Sequence, residues 1–390
     1  MTQKLTILLR LGGKLVLKRP VWDDIIAELD FEANAEVNMA QRQPNQNIRR
    51  NTSKKRKSKY HGWIRGLSIL LGVMVCVCGG TLIWAYNKYK SIQADPFSTL
   101  KKPSVTGVTV VDKNNQEHVM EDKIVNLLIM GLDSDAEREK KNMGWRTDVL
   151  ILCSVNYENG TMTMMSIPRD SKVKMNKLNA KTGEVTGTTV RKINEAFAQG
   201  GGPNAFGYQN TVDCVKELIS CDGAFDIPID YYMCMDMDGM GPLADSIGGV
   251  PVVLDRDLST VGKKGEEVTI TSANVEEYLK NRKSGGNDEG RGARQQTFII
   301  SFIKKVQSMG AVKSATKLYD KLIQFIKTDM SLEEILAFAQ FADTGFSTDK
   351  ITQWRVPSTT SDDGNYYELI HEDELYDFVL EHFYNPKEAN

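Results

Sequence analysis

Hydrophobic positions along this chain follow three rhythms, and each predicts a different element. The first is an unbroken run, Gly66 to Tyr86 (GLSILLGVMVCVCGGTLIWAY), without a single charged residue. As a helix rising about 1.5 Å per residue it extends roughly 30 Å, the thickness of one hydrocarbon core. Trp63, Trp84 and Tyr86 stand near its ends, where amphipathic rings favour the headgroup level. A buried core helix rarely runs so far without a charge. A cleaved signal peptide is shorter, begins nearer the N-terminus and is followed by an A-x-A-like site. The pattern therefore predicts a transmembrane signal-anchor helix over 66–86.

The second rhythm is that of short buried strands. IVNLLIMG (124–131) closes on a glycine, and DVLILCSV (148–155) and TMTMMSI (161–167) follow, joined by the turn-forming NYENG. YYMCMDM and VPVVL read as further strands, and VTGVTVVD as a strand-like run within a stalk, 87–122. The third rhythm is helical. It covers VRKINEAFAQGG (190–201), DGMGPLADSI and, from residue 291 onward, GARQQTFIISFIKKVQSM, ATKLYDKLIQFIK, SLEEILAFAQFA and ELYDFVLEHFY. Strands with helices between them predict an α/β domain over 123–390, a sandwich built on a mixed sheet. The opening LTILLRLGGKLVLK is apolar and basic, and fits a hairpin, an interfacial segment or a disordered one.

Charge adds an orientation. The net charge of -2 conceals a basic head, with 14 Lys/Arg against 6 Asp/Glu in residues 1–65, and an acidic body, with 35 against 45 in residues 87–390. The flank RRNTSKKRKSKY (49–60) is dense in Lys and Arg, and such charge stays cytoplasmic. Residues 1–65 are thus expected inside the cell membrane and 87–390 outside. The same basic run could serve nucleic acid, but it directly precedes a span and the head lacks a helix-turn-helix pattern. A membrane is the expected partner, and nucleic acid is not. Beyond the span, Cys153 and Cys234 read as small core residues. Cys214 and Cys221 flank a helix end and either pair in an oxidising compartment or stay free. Four histidines and no Cys/His spacing argue against zinc.

The candidate chemistry lies in arginines at element boundaries. Arg146 stands two residues before Asp148 at a strand start. Arg169 and Asp170 follow a strand in SIPRD, where Pro168 interrupts the ladder. Arg282, Arg291, Arg294 and Gln295 cluster across a Gly-rich loop and the start of a long helix, with 291, 294 and 295 on one helix face. Guanidinium groups bind phosphate oxygens through paired, charge-assisted bonds worth about 1.5–3 kcal/mol each. Asp133, in GLDSD, and Asp148 are candidates to hold Mg²⁺, an ion that takes one or two carboxylates plus substrate phosphate. Any one of these arginines could instead form a surface ion pair; several at element ends in an acidic domain favour a diphosphate site.

NLLIMGLD, WRTDVLILCSVN, MTMMSIPRDSKV, RKINEAFAQGG, LADSIGGV and NDEGRGARQQ, in that order across Asn126–Ile303, together resemble the LytR-CpsA-Psr family of cell-wall glycopolymer ligases. The resemblance implies an α/β/α sandwich with an apolar tunnel for a polyprenyl chain, opening at arginines that grip its pyrophosphate. It implies Asp133 and Asp148 at a Mg²⁺ site, with Arg146, Arg169, Arg282, Arg291 and Gln295 around the diphosphate. The family's Tyr-x-Arg-x-Arg is Tyr278-Leu-Lys280-Asn-Arg282 here; Lys280 keeps the charge and loses the fork. Arg146-Thr147-Asp148 replaces a more usual Arg-Ser-Asp.

The implied reaction is phosphotransfer. A glycopolymer (teichoic acid, capsular polysaccharide or another glycan) moves from undecaprenyl pyrophosphate to peptidoglycan, at the C6 hydroxyl of N-acetylmuramic acid. Arg146, Asp148, Arg169 and Asp170 form the expected catalytic set, with Asp148 or Asp170 taking the hydroxyl proton. Phe298, Ile299, Phe302 and Ile303, with Leu150 and Met164, are the expected tunnel lining. Lipid pyrophosphatase activity, a membrane-bound regulator and a non-catalytic lipid carrier are the competing readings.

Overall fold

The computed structural model describes residues 107–133, 144–281 and 288–387, together with isolated positions from residue 10 to residue 100. The chain divides into two units, Met1–Cys76 and Val77–Asn390. In the first, Arg10–Leu11 pairs antiparallel with Lys14–Leu15, a hairpin in the apolar-basic start. The span expected over 66–86 lies outside the described residues. Among those described, no helix is long and apolar enough to cross a membrane.

The second unit is built on a six-stranded mixed sheet. Its strands are β1 (Ile124–Asp133), β2 (Arg146–Asn156), β3 (Thr161–Ser166), β4 (Tyr231–Asp236), β5 (Ile326–Thr328) and β6 (Ile351–Arg355). They lie in the order β5-β4-β1-β2-β3-β6. β4 runs parallel to β1, β6 runs parallel to β3, and the other pairs are antiparallel. The three long apolar runs form the sheet centre because a strand buried on both faces needs apolar side chains at every position. NYENG is the β2–β3 turn: Gly160 adopts φ 68° and its N–H closes on the Asn156 carbonyl at 3.1 Å.

Five helices cover the two faces: α1 (Gly207–Ile219), α2 (Asp288–Ser308), α3 (Ala311–Phe325), α4 (Leu332–Thr344) and α5 (Glu372–Phe383). Leu128, Met130, Leu150, Leu152 and Met165 face α1 and α5 in the main core. The alternate residues Leu127, Ile129, Cys153 and Met162 face α2, α3 and α4. The architecture is therefore an α/β/α sandwich on a mixed sheet. Helix α4 starts at a capping box: the Glu334 N–H donates to Ser331 Oγ at 3.3 Å and the Ser331 N–H to Glu334 Oε2 at 2.7 Å.

Several local expectations change. Val190–Lys192 is not helical; it ends the strand Val185–Lys192, which pairs with Lys172–Leu178, and only Ala196–Gln199 forms an α-helix. Cross-strand pairing along the whole hairpin outweighs the helical spacing there. Residues 109–120, within the segment read as a stalk, form two strands of a small sheet with Tyr384–Pro386. β5 and β6 interrupt a region, from residue 291 onward, read as mostly helical. Cys214 and Cys221 are both free thiols, and burial pushes each up to about 12.

Candidate active site

The site begins with a fault in the β1–β2 ladder. Leu132 pairs with Thr147 and Gly131 with Val149, so Asp148 is left unopposed on a β-bulge. Such a bulge re-aims a side chain next to a strand end. Asp148 Oδ2 accepts a hydrogen bond from the Arg169 guanidinium at 2.5 Å. Its Oδ1 is buried with no hydrogen-bond partner among the described residues.

Arg169 is held by a turn with little freedom. Pro168 has no N–H to extend the ladder, and its carbonyl accepts from both the N–H and the hydroxyl of Ser171, at 3.0 and 2.5 Å. The next three carbonyls are also tied. Arg169 accepts from the Asn194 N–H at 3.1 Å, Asp170 from the Glu368 N–H at 2.9 Å and Ser171 from the Ile193 N–H at 2.9 Å. Asp170 in turn meets Arg169 Nε at 3.5 Å and Lys192 Nζ at 3.2 Å. Lys192 belongs to the quoted RKINEAF segment, yet the sequence reading gave it no role.

The N-terminal part of α2 supplies the facing wall. Gln296 fastens it to the sheet, donating to the Met164 carbonyl (3.0 Å), Ser166 Oγ (2.8 Å) and the Trp354 carbonyl (3.2 Å). Arg291 and Gln295, one turn apart, then line a small polar cavity with Asp148, Arg169 and Arg355. Arg294 points elsewhere. Its guanidinium is 2 % exposed, donates to the carbonyls of Tyr278 (2.9 Å) and Asn281 (2.6 Å), and lies 3.5 Å from Asp255 Oδ2. Burial lowers its pKa below the usual arginine value. It anchors the chain that leads into the Gly-rich loop and does not line the polar cavity.

The structure thus brings Asp148, Arg169, Arg291 and Gln295 together around one cavity and attaches Asp170 to it through Arg169. Asp133 and Arg146 are paired at the ends of β1 and β2 and do not line it. Lys280 pairs with Glu276 at 3.3 Å, one helical turn earlier, and does not line it either. Arg282 lies outside the described residues. Among the described residues, no cluster of three or more His, Cys, Asp or Glu side chains could by itself hold a metal. The buried, unpartnered Oδ1 of Asp148 is the atom that suits a cation.

Beside the polar cavity lies apolar space. A cavity of about 210 Å³ between the sheet and α2 is lined by Ile129, Met233, Phe298, Ile299 and Phe302, and shares Val149 and Gln295 with the polar one. A second, of about 270 Å³, shares Ile129, Met233, Ile299 and Phe302 with the first and continues past Ile303 to α3 and α4. Leu150 and Met164, expected in this lining, are not part of either apolar cavity. Leu150 faces the opposite core, and Met164 is fully buried within β3, in a cluster with Ile151 and Cys153.

A model of the LytR_cpsA_psr family matches residues 87–381. The polyisoprenyl-teichoic acid–peptidoglycan teichoic acid transferase TagV of Bacillus subtilis (strain 168) is 27% identical over 301 residues, covering 74% of this chain and 69% of that protein. A TagU transferase of the same descriptive name from Halalkalibacterium halodurans is 29% identical over 276 residues, 68% of this chain and 80% of its own. The crystal structure of Bacillus subtilis TagV superposes with a TM-score of 0.52 at 25% identity, covering 67% of this chain and 98% of that one.

Proposed function

The chain belongs to the LytR-CpsA-Psr family, and from that premise we propose that it transfers a glycopolymer from a polyprenyl diphosphate to peptidoglycan. The observation that carries this reading is the junction at Val149 and Gln295, where apolar space meets a cavity lined by guanidinium groups. An amphiphile with a long hydrocarbon tail and a dianionic head matches both halves. The transferase names of its relatives support the same activity.

In this mechanism the acceptor hydroxyl oxygen bonds to the glycan-side phosphorus in line. The bond from that phosphorus to the bridging oxygen breaks, and polyprenyl phosphate departs with the electron pair. Arg169 and Arg291 hold phosphate oxygens, and the fixed turn at Pro168–Ser171 keeps Arg169 in place throughout. Asp148, with its unpartnered Oδ1, and Asp133, at the end of the adjacent strand, would hold Mg²⁺, which would offset phosphate charge. Asp170, beside Arg169, is then the carboxylate left to take the hydroxyl proton. Residues 66–86 would anchor the catalytic domain on the outer face of the membrane.

The test is incubation of the protein with lipid-linked glycan, Mg²⁺ and peptidoglycan oligomers, followed by mass spectrometry. A glycan joined to peptidoglycan by a phosphodiester is expected. Release of free glycan phosphate in its place would assign a pyrophosphatase instead. Arg169→Lys should lower turnover by at least about tenfold, the worth of one lost bidentate contact. Asp148→Asn should lower turnover and Mg²⁺ dependence while lipid binding persists.

A further inference from the structure

One basic group at the polar cavity lies outside every motif described above. Arg355, the last residue of β6, lines that cavity beside Asp148, Arg169 and Arg291. Its backbone is pinned on both sides. It pairs with Ser166; the Trp354 carbonyl before it accepts from Gln296, and the Val356 N–H after it donates to the Ser166 carbonyl at 2.9 Å. The side chain is far less satisfied. Its guanidinium reaches, among the described residues, only the Val356 carbonyl at 3.5 Å and Ser358 Oγ at 3.4 Å, and that hydroxyl is already committed to Glu368 at 2.6 Å. Among the described residues no carboxylate pairs with Arg355, and Asp148 is the one acidic side chain lining the cavity. Arg169 is already paired with Asp148 and Asp170, so Arg355, a half-buried guanidinium with no carboxylate of its own among the described residues, is the group that calls for an anion.

Position selects which anion. The 210 Å³ apolar cavity lies along β5, β4, β1 and β2 and meets the polar one at Val149 and Gln295. Arg355 stands at the other edge of the sheet, two strands and roughly 10 Å beyond β2. A lipid phosphate delivered from the apolar side arrives at Gln295 first. We propose that Arg355 binds the glycan-side phosphate, the phosphoryl group that is transferred. This rests on the lipid-diphosphate reading of the site. As the acceptor oxygen bonds to that phosphorus and the bridging oxygen leaves with polyprenyl phosphate, Arg355 stays with the phosphorus that becomes the phosphodiester.

The experiment compares the full-length protein in nanodiscs with its Arg355→Gln and Arg355→Lys variants, titrated with undecaprenyl diphosphate and undecaprenyl monophosphate. Arg355→Gln should weaken diphosphate binding by at least about tenfold and leave monophosphate binding within about twofold. Arg355→Lys, which keeps charge without the fork, should fall between. Unchanged melting temperatures show that the variants fold. Equal losses for both lipids, or no loss for either, overturn the assignment to the glycan-side phosphate while leaving the lipid reading in place. A wild-type protein that binds neither lipid overturns the lipid reading itself, and this inference with it.

Discussion

On one face of the central sheet, Leu128, Met130, Leu152 and Met165 meet Phe197, Val215 and Val379, every one of them 1% exposed or less. On the other face, equally apolar strand residues meet α2, α3 and α4 and leave cavities of about 270 and 210 Å³. The same strands, by alternation, supply both faces, so the difference lies in the helices. Those on the closed side present Phe, Val, Ile and Leu, whereas α3 and α4 place Ala311, Ala315, Ala339 and Ala342 at the larger cavity. Interiors pack to near-crystalline density, and a void of this size in a sealed core costs several kcal/mol, at about 24 cal/mol per Å³. Small side chains kept around such a void therefore point to an occupant. One face is packed shut, and the other keeps open space.

Truncating matched phenylalanines should expose this difference most strongly. Phe197→Ala should cost about 3–5 kcal/mol in denaturant unfolding, because it opens a new hole in a filled core. Phe302→Ala, which enlarges a cavity that already exists, should cost only roughly 1–2 kcal/mol while weakening lipid binding. Similar losses of stability at the two positions would break the distinction between the faces.

The polar end of the open face depends on Arg294. Arg294→Met removes the donors to the carbonyls of Tyr278 and Asn281, and should cost about 2–3 kcal/mol by leaving buried acceptors unmet. It should also weaken diphosphate binding indirectly, since Asn281 directly precedes Arg282. A variant with wild-type stability would show that this anchor is dispensable.

Filling the void sharpens the comparison further. Ala339→Phe should reduce polyprenyl-diphosphate affinity by about tenfold, or ~1.4 kcal/mol, without lowering the melting temperature. Ala196→Phe, an equivalent enlargement in the closed core, should destabilise by about 1–3 kcal/mol. Full lipid affinity in the Ala339 variant would detach the cavity from the lipid.

The central strands were legible because IVNLLIMG, DVLILCSV and TMTMMSI are apolar on both faces. The edge strands were not, since IKT and ITQWR are short and polar, and only the neighbours they join make them strands. That is why Arg355 was missed. The motif arginines were legible as a group, but a guanidinium fork reads the same in sequence whether it meets phosphate or a backbone carbonyl. Arg294 proved to be the second kind. The bulge at Asp148 depends on the register of β1 against β2, which no local pattern specifies. Strand alternation separated Leu150 from its neighbours, but not which parity would face the ligand side.

The smallest expected effect concerns Glu277, on the short helix Val275–Lys280, and the Ser259–Thr260 rim that it holds. Glu277 accepts the N–H groups of Ser259 and Thr260 at 2.8 and 2.9 Å, and both of their hydroxyls. The Thr260 hydroxyl bond, followed by that of Ser259, holds its carboxyl down at about 2. A folded-state value below the unfolded one means that its stabilisation is fully present above the ordinary glutamate range. That contribution is lost as pH falls from about 4.5 through about 2. Because the group is open to solvent, the contribution should be roughly 0.5 kcal/mol or less. Thermal unfolding of wild type and Glu277→Gln should therefore differ slightly at pH 6 and converge toward pH 2. A difference that grows as the pH is lowered would reverse the sign, and would show that Glu277 does not tie this rim in its ionised form.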